Sequence, residues 1–279
     1  MTHAITICVA PNGARKTKLD LPTIPISPDE LAAEAIRCAD AGVSLFHLHV
    51  RDDTQRHSLD PDRYRAALAA IQKAVGDRMV LQVTTETVGI YSSADMIATI
   101  EALVPESASI GIRELIPDPS FEPAAQSFLK WAHAQNILVQ YICYSADEVR
   151  YFSELRLRGI IPDESQYFLL YVLGKKTGQK GHPSELAPFI DAHNSTLSDV
   201  ALHWTVCAFG EDELDCMLES VRNGGHVRIG FENNHVLSSG EIAANNAALI
   251  KQFVDAVDAA PDIFRPIASP TFLRRSIKV

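Results

Sequence analysis

Short apolar runs alternate with amphipathic stretches along the whole chain. Runs at 5–10, 45–50, 79–84, 108–112, 137–142, 167–173, 200–206 and 226–231 are rich in Ile, Val, Leu and aromatic residues. Their length and their flanking turn residues predict strands. Helix signals fill the intervals. Ser27-Pro28-Asp29-Glu30 combines an N-cap, a proline in the first turn and a capping box, and Gly42 ends that helix. Asp60-Pro61 opens a helix that runs through Val75 and stops at Gly76. Further helices are predicted over 92–103, 123–134, 147–157, 183–193, 211–222 and 241–257. Strands that alternate with helices predict a parallel sheet covered by helices. Eight such units in 279 residues predict a closed (β/α)8 TIM barrel. No Ser/Gly linker or low-complexity tract interrupts residues 1–260, so a single domain is expected. A short C-terminal extension, 261–279, contains Pro266, Pro270, Phe272, Leu273 and Ile277. It reads equally as an arm at a subunit interface or as a tail on its own barrel.

In barrels of this kind chemistry gathers at the C-terminal ends of the strands. The second strand carries Phe46-His47-Leu48-His49-Val50-Arg51-Asp52. Side chains alternate along a strand, so His47 and His49 share one face and Phe46, Leu48 and Val50 the other. Two imidazoles on one face can share a metal ion, or can be hydrogen-bonded core residues. The eighth strand, 226–231, places Arg228, Gly230 and Glu232 on one face, with Gly230 expected to leave space beneath the site. In a closed barrel this strand neighbours the first, which neighbours the second. Glu232 can therefore join His47 and His49 in a His2Glu set with an open position, or can be a capping or surface carboxylate.

Other strand ends are polar. The first offers Asn12 and Arg15, the third Thr84, Thr85 and Glu86, and the fourth Arg113 and Glu114. Thr84 to Glu86 and Arg113-Glu114 fit a polar substrate or a hydrogen-bonded rim with an Arg–Glu pair. Lys175, Lys176 and Lys180 in a glycine-containing loop suit phosphates or simple solvation. His203 and His226 lie inside strands and read as core. The remaining histidines read as surface or packing residues.

Charge and composition narrow the partners. The formal net charge is −10 and no Lys/Arg block occurs, which argues against nucleic acid and anionic membranes. No apolar stretch approaches the ~20 residues that a membrane span needs. Met1-Thr2-His3-Ala4 lacks a secretory pattern. Cys8, Cys38, Cys143, Cys207 and Cys216 are odd in number and scattered, as expected of reduced thiols in a cytoplasmic protein.

Three motifs together resemble the β-keto acid cleavage enzymes, whose type member cleaves 3-keto-5-aminohexanoate. They are Ala10-Pro11-Asn12-Gly13-Ala14, His47-Leu48-His49-Val50-Arg51-Asp52, and the segment from Gly224 to Asn234. The resemblance runs from about residue 4 to 258. It implies a zinc-dependent barrel, usually a homo-oligomer and often a tetramer. It implies that a β-keto acid and acetyl-CoA give acetoacetate and a new acyl-CoA. By position, His47, His49 and Glu232 would bind Zn²⁺ and Arg228 would orient a carboxylate. Arg15 would meet an anionic or polar distal group of the substrate.

The chain departs from the family pattern in three places. Asn233 stands where an Asp is common, Thr84-Thr85-Glu86-Thr87 replaces a Gly-rich turn, and Gln140-Tyr141 occupies a region that often holds a carboxylate. Asn233 cannot act as a base, and Glu86 or Glu114 is a candidate replacement. Two alternatives stand beside the acyl transfer: a CoA-independent metal-dependent C–C lyase or hydrolase, and a metal-binding protein without catalysis.

Overall fold

The computed structural model describes residues 4–175, 178–269 and 271–273. Lys176, Pro270 and Ile277, named above, lie outside these residues, as do Met1, Thr2 and His3. The strands in chain order are β1 (Ile7–Val9), β2 (Leu45–Leu48), β3 (Val50–Arg51), β4 (His57–Ser58), β5 (Val80–Thr84), β6 (Ser107–Gly111), β7 (Leu138–Cys143), β8 (Tyr167–Leu173), β9 (Leu202–Ala208) and β10 (His226–Ile229). Eight of them close into a parallel barrel in the order β1-β2-β5-β6-β7-β8-β9-β10, with β10 back on β1. The helices are α1 (Pro28–Asp40), α2 (Pro61–Val75), α3 (Ser93–Leu103), α4 (Ile112–Leu115), α5 (Glu122–Ala134), α6 (Ala146–Leu157), α7 (Ala187–Thr196), α8 (Glu213–Arg222) and α9 (Asn246–Ala259). Among the described residues no helix is long and apolar enough to cross a membrane.

Local signals act as their chemistry requires. Ser27 and Glu30 form the reciprocal capping box of α1, and Asp60 caps α2. Alternation along the strands sorts the interior into layers. At the lower, N-terminal end, Cys8, Leu45, Val80 and Phe168 pack together around Leu273 from the C-terminal extension. His203 and His226 belong to this end as core residues; their rings stack at 3.9 Å, and Thr6 hydrogen-bonds both. Above lies a polar layer in which Gln82 donates to Ser107 and Gln140 to Thr205. An apolar patch of Ile142, Leu170, Val172 and Cys207 follows toward the mouth.

Several boundaries differ from expectation. The strand from 45 breaks at His49, and Val50–Arg51 pairs antiparallel with His57–Ser58 in a small hairpin. Arg113 and Glu114 do not extend a strand but occupy the single turn of α4. The last helix starts at Asn246 rather than Glu241, because the Asn245 side chain accepts from the amide of Ala248 and caps it there. Tyr141 faces outward against Phe152, so the residue at the mouth of β7 is Tyr144. Gly230 does not open space beneath the site. Its φ is +144°, and a Cβ there would lie 2.4 Å from the Ala10 carbonyl oxygen. Glycine is required because two backbones meet closely at a φ that other residues avoid.

The extension returns to the barrel it belongs to. Ile267 bridges to Ile5, Arg265 donates to the carbonyls of Val221 and Gly225, and Leu273 is fully buried.

Candidate metal centre

His47, His49 and Glu232 meet at the upper mouth of the barrel. His47 Nε2 lies 3.2 Å from His49 Nε2, and Glu232 Oε2 lies 3.1 Å from His49 Nε2 and 3.6 Å from His47 Nε2. Two imidazole nitrogens and a carboxylate oxygen thus converge in a buried space. Ligands ~2.0–2.1 Å from a tetrahedral ion stand roughly 3.3 Å apart, and the observed separations bracket that spacing. Glu232 Oε2 meets the two imidazole nitrogens, and His49 Nδ1 is buried without a hydrogen-bond partner. Buried polar atoms are rarely left this way, and a cation at the centre would satisfy the carboxylate. The donor set fits a divalent metal ion.

The elements below and beside the centre hold these three side chains in place. His47 Nδ1 donates to Gln82 Oε1 at 2.8 Å, which leaves the lone pair on Nε2. Gln82 is in turn held by Ser107. Such outer partners fix the tautomer and ring orientation of a ligand histidine. We expect Gln82→Leu to weaken metal binding by about 10–100-fold. Competition with a chromophoric chelator reads this directly, and an unchanged affinity would remove Gln82 from the site.

Asn12, expected to face substrate, is 1 % exposed and uses both ends of its amide on the backbone of His49. Glu232 leaves the end of β10 in a turn rather than on the strand. Its other oxygen accepts from Arg228 at 3.1 Å, and Arg228 also donates to Asn233 Oδ1 and contacts Cys207 Sγ.

Electrostatics follow from this packing. Burial pushes the Glu232 carboxyl up, but Arg228 and the two imidazoles outweigh it and hold it well below the usual carboxylate range. Burial drives His49 well below the ordinary imidazole value, despite Glu232. Glu213, at the start of α8 and wholly buried, is pushed up to about 8 by burial. The His49 shift has a consequence for the metal-free protein. Below about pH 6.5 the unfolded chain binds a proton at His49 that the folded protein refuses. Stability is therefore lost as pH falls from about 6.5 toward the depressed folded value. Denaturant titrations of chelator-treated protein between pH 8 and 5 should show a falling midpoint, and a flat profile would contradict the assignment.

The predicted substrate residues distribute around the centre. Thr84 and Glu86 line an inner pocket with His47, Arg228 and Glu232, walled by Ile142, Leu170, Val172 and Phe209. Thr85 is turned away, with its hydroxyl on the Ser109 carbonyl. Glu86 approaches His49 Nδ1 and Arg15, each at 3.9 Å. Beyond it an outer cavity of about 330 Å³ is lined by Arg15, Arg113, Glu114, Tyr144 and Lys175, among others. Arg113 does not pair with Glu114. It lies 3.7 Å over the Tyr144 ring and 3.4 Å from Glu148, while Glu114 accepts from Thr87. Lys180 is held away by Glu211.

Sequence reasoning missed Gln82, Tyr144 and His57. Gln82 was detectable, since it is a polar residue facing the interior of an otherwise apolar strand. His57 returns to the site through the small hairpin, with its ring 5.2 Å from that of His49.

A closed parallel barrel with its polar and charged residues gathered at the C-terminal ends of the strands is the architecture of barrel enzymes, and its His2Glu cluster could hold a metal ion. Comparison with known proteins agrees and goes further. Residues 4–279 match the β-keto acid cleavage enzyme family. The chain is 27 % identical to the 3-keto-5-aminohexanoate cleavage enzyme of Acetoanaerobium sticklandii, over 99 % of this chain and 98 % of that protein. It is 26 % identical to the 3-oxoadipate:acetyl-CoA acetyltransferase of Cupriavidus necator, over 90 % and 88 %. Among solved structures, apo ObcA superposes with a TM-score of 0.71 at 13 % identity, over 92 % of this chain and 65 % of that one, which shows the shared fold. The chain belongs to the β-keto acid cleavage enzyme family and is an enzyme of the acyltransferase type.

Proposed function

We propose that this enzyme uses zinc to convert a β-keto acid and acetyl-CoA into acetoacetate and a new acyl-CoA. The observation that carries the reading is the convergence of His47, His49 and Glu232 at the barrel mouth in a chain of this family. Two nitrogen donors and one carboxylate suit Zn²⁺ with a position left open for substrate. When bound, the ion supplies Lewis-acid polarisation of a keto oxygen. The acyl group of the keto acid ends on the sulfur of CoA. Its CH2-carboxylate ends on the acetyl group.

The chain's own residues supply the remaining parts. Arg228 keeps Glu232 ionised and presents positive charge to a carboxylate in the inner pocket. Asn233 carries no charge and accepts a hydrogen bond from Arg228, so it orients rather than exchanges protons. Glu86 borders both the inner pocket and the outer cavity, which suits it to take the proton from the α-carbon and return it to that carbon of the departing acetoacetate. Glu114 is the weaker candidate because Thr87 occupies its Oε1. Thr84 borders the inner pocket with Glu86. Arg15 and Arg113, in the outer cavity, suit a substrate with an anionic distal group. Glu86→Gln should lower turnover by about 10²–10⁴-fold with zinc content unchanged. Glu114→Gln should cost far less, and the opposite ranking would transfer the role to Glu114.

The test of the whole reading is turnover of zinc-loaded protein with acetyl-CoA and β-keto acids bearing carboxylate, amine or neutral distal groups. Mass spectrometry should find acetoacetate and one new acyl-CoA, with the carboxylate series preferred. Arg15→Glu should reverse that preference. Keto acid consumed without an acyl-CoA product would instead support CoA-independent cleavage, a reading favoured by Asn233. A homotetramer or other homo-oligomer is part of the proposal, motivated by Phe264 on the arm, which is 81 % exposed. Light scattering that returned a monomer mass would overturn it.

A further inference from the structure

Two of the metal-ligand segments are joined by a second, purely protein connection. The segment from Asn12 to Lys16 leaves β1 and passes between the chain that bears His49 and the turn that bears Glu232. On the first side, Asn12 makes two hydrogen bonds to the backbone of His49. Arg51, two residues beyond His49, is buried and donates to the carbonyls of Gly13, Lys16 and Gln55. On the second side, Lys16 Nζ donates to the carbonyls of Phe231 at 2.6 Å and Glu232 at 3.2 Å. Gly13 lies against the Glu232 side chain so closely that a Cβ would stand 2.6 Å from its Cγ. Arg15, at the crest of the same segment, lines the outer cavity.

We infer that Lys16 is a positioning residue that buckles the 12–16 segment onto the Glu232 turn and so couples metal binding to the placement of Arg15. The inference rests on the metal reading of the site. An ion held by His49 and Glu232 and the buckle tie together the same two pieces of chain. Two ties between the same pieces reinforce each other, because whichever forms first has already removed the freedom that the second must restrict. Lys16 is suited to the task. Its ammonium reaches two carbonyls of the turn, including that of the ligand residue itself. Its side chain also borders the cavity lined by Arg15, Glu86 and Glu232.

The experiment uses the full chain and reads zinc, not turnover. Zinc affinity is measured by chelator competition, and coordination by the visible spectrum of the Co²⁺-substituted protein. Amide hydrogen exchange over residues 12–18 is followed with and without zinc. In the unaltered protein, zinc should slow exchange in this segment. Lys16→Met should weaken zinc binding by about 10–100-fold, the scale of outer-shell losses, and shift the cobalt bands. It should also abolish the zinc-induced protection of 12–18. Lys16→Arg, which can still donate to both carbonyls, should restore most of each signal.

Zinc affinity within twofold of the unaltered protein, with unchanged cobalt bands in Lys16→Met, would overturn the inference while leaving the metal centre intact. Absence of zinc protection over 12–18 in the unaltered protein would also overturn it, even if Lys16→Met failed to fold. Failure of the unaltered protein to bind zinc at all would overturn the metal reading and this inference together.

Discussion

His49→Ala should leave a folded barrel that neither retains zinc nor turns over substrate. Asn12 holds His49 through its backbone alone, so both of those bonds survive the substitution. What is lost is one of three donors. Zinc content should fall well below one equivalent, and turnover by ~10³-fold or more, a change of ~4 kcal/mol at ~1.36 kcal/mol per tenfold. Treating the unaltered enzyme with a chelator should reproduce the loss, and zinc should reverse it. The two effects should not add, because both remove the same participant. Metal analysis alongside an activity assay decides the matter. Full turnover by the chelated enzyme would dismiss metal dependence.

The second large effect is expected of Arg228→Met in the metal-free state. Arg228 and Glu232 are both buried, with side-chain exposures of 4 % and 8 %. Methionine fills much of the same volume but leaves an ionised carboxylate with little compensation. Breaking a buried pair in this way costs about 3–5 kcal/mol. Zinc should recover a large part of that loss, because a cation at the centre replaces the missing positive charge. Denaturant titrations with and without zinc should therefore show a greater zinc-dependent stabilisation in the variant than in the parent. A loss below ~1 kcal/mol without zinc would mean that Glu232 takes up a proton, or that water reaches it.

The barrel and the convergence of His47, His49 and Glu232 were legible because both depend on simple periodicities. Alternation with period two put His47 and His49 on one face, and the neighbour relations of a closed barrel brought Glu232 to them. Caps such as Ser27 and Asp60 marked helix starts because the orphan amides they satisfy lie only a few residues away. The rest depends on contacts between distant segments. Nothing in the sequence near Asn12 shows that its amide is taken by His49, or that Lys16 reaches Phe231. Arg113 and Glu114 look like a pair from adjacency, yet α4 turns them toward different partners, Glu148 and Thr87. Gly230 was misjudged for a related reason. Its missing side chain accommodates another backbone, Ala10, rather than a substrate. His57 entered the neighbourhood of the site through a hairpin too short to leave an apolar pattern.

The lower end of the barrel has a consequence for how the chain must fold. Ile5 pairs with Ile267, and Leu273 fills the space among Cys8, Leu45, Val80 and Phe168. The first strand can pair early with β2, but its other neighbour, β10, and its bridge to Ile267 come from residues made late. During synthesis the early units can form their local helices, but the cylinder cannot close, nor its floor be laid, until almost all of the chain has emerged. Contacts of such long sequence separation form slowly. Shortened chains that stop before β10 should therefore present an open edge, and those that stop before 267 an unfilled apolar base, the features that recruit chaperones and promote aggregation.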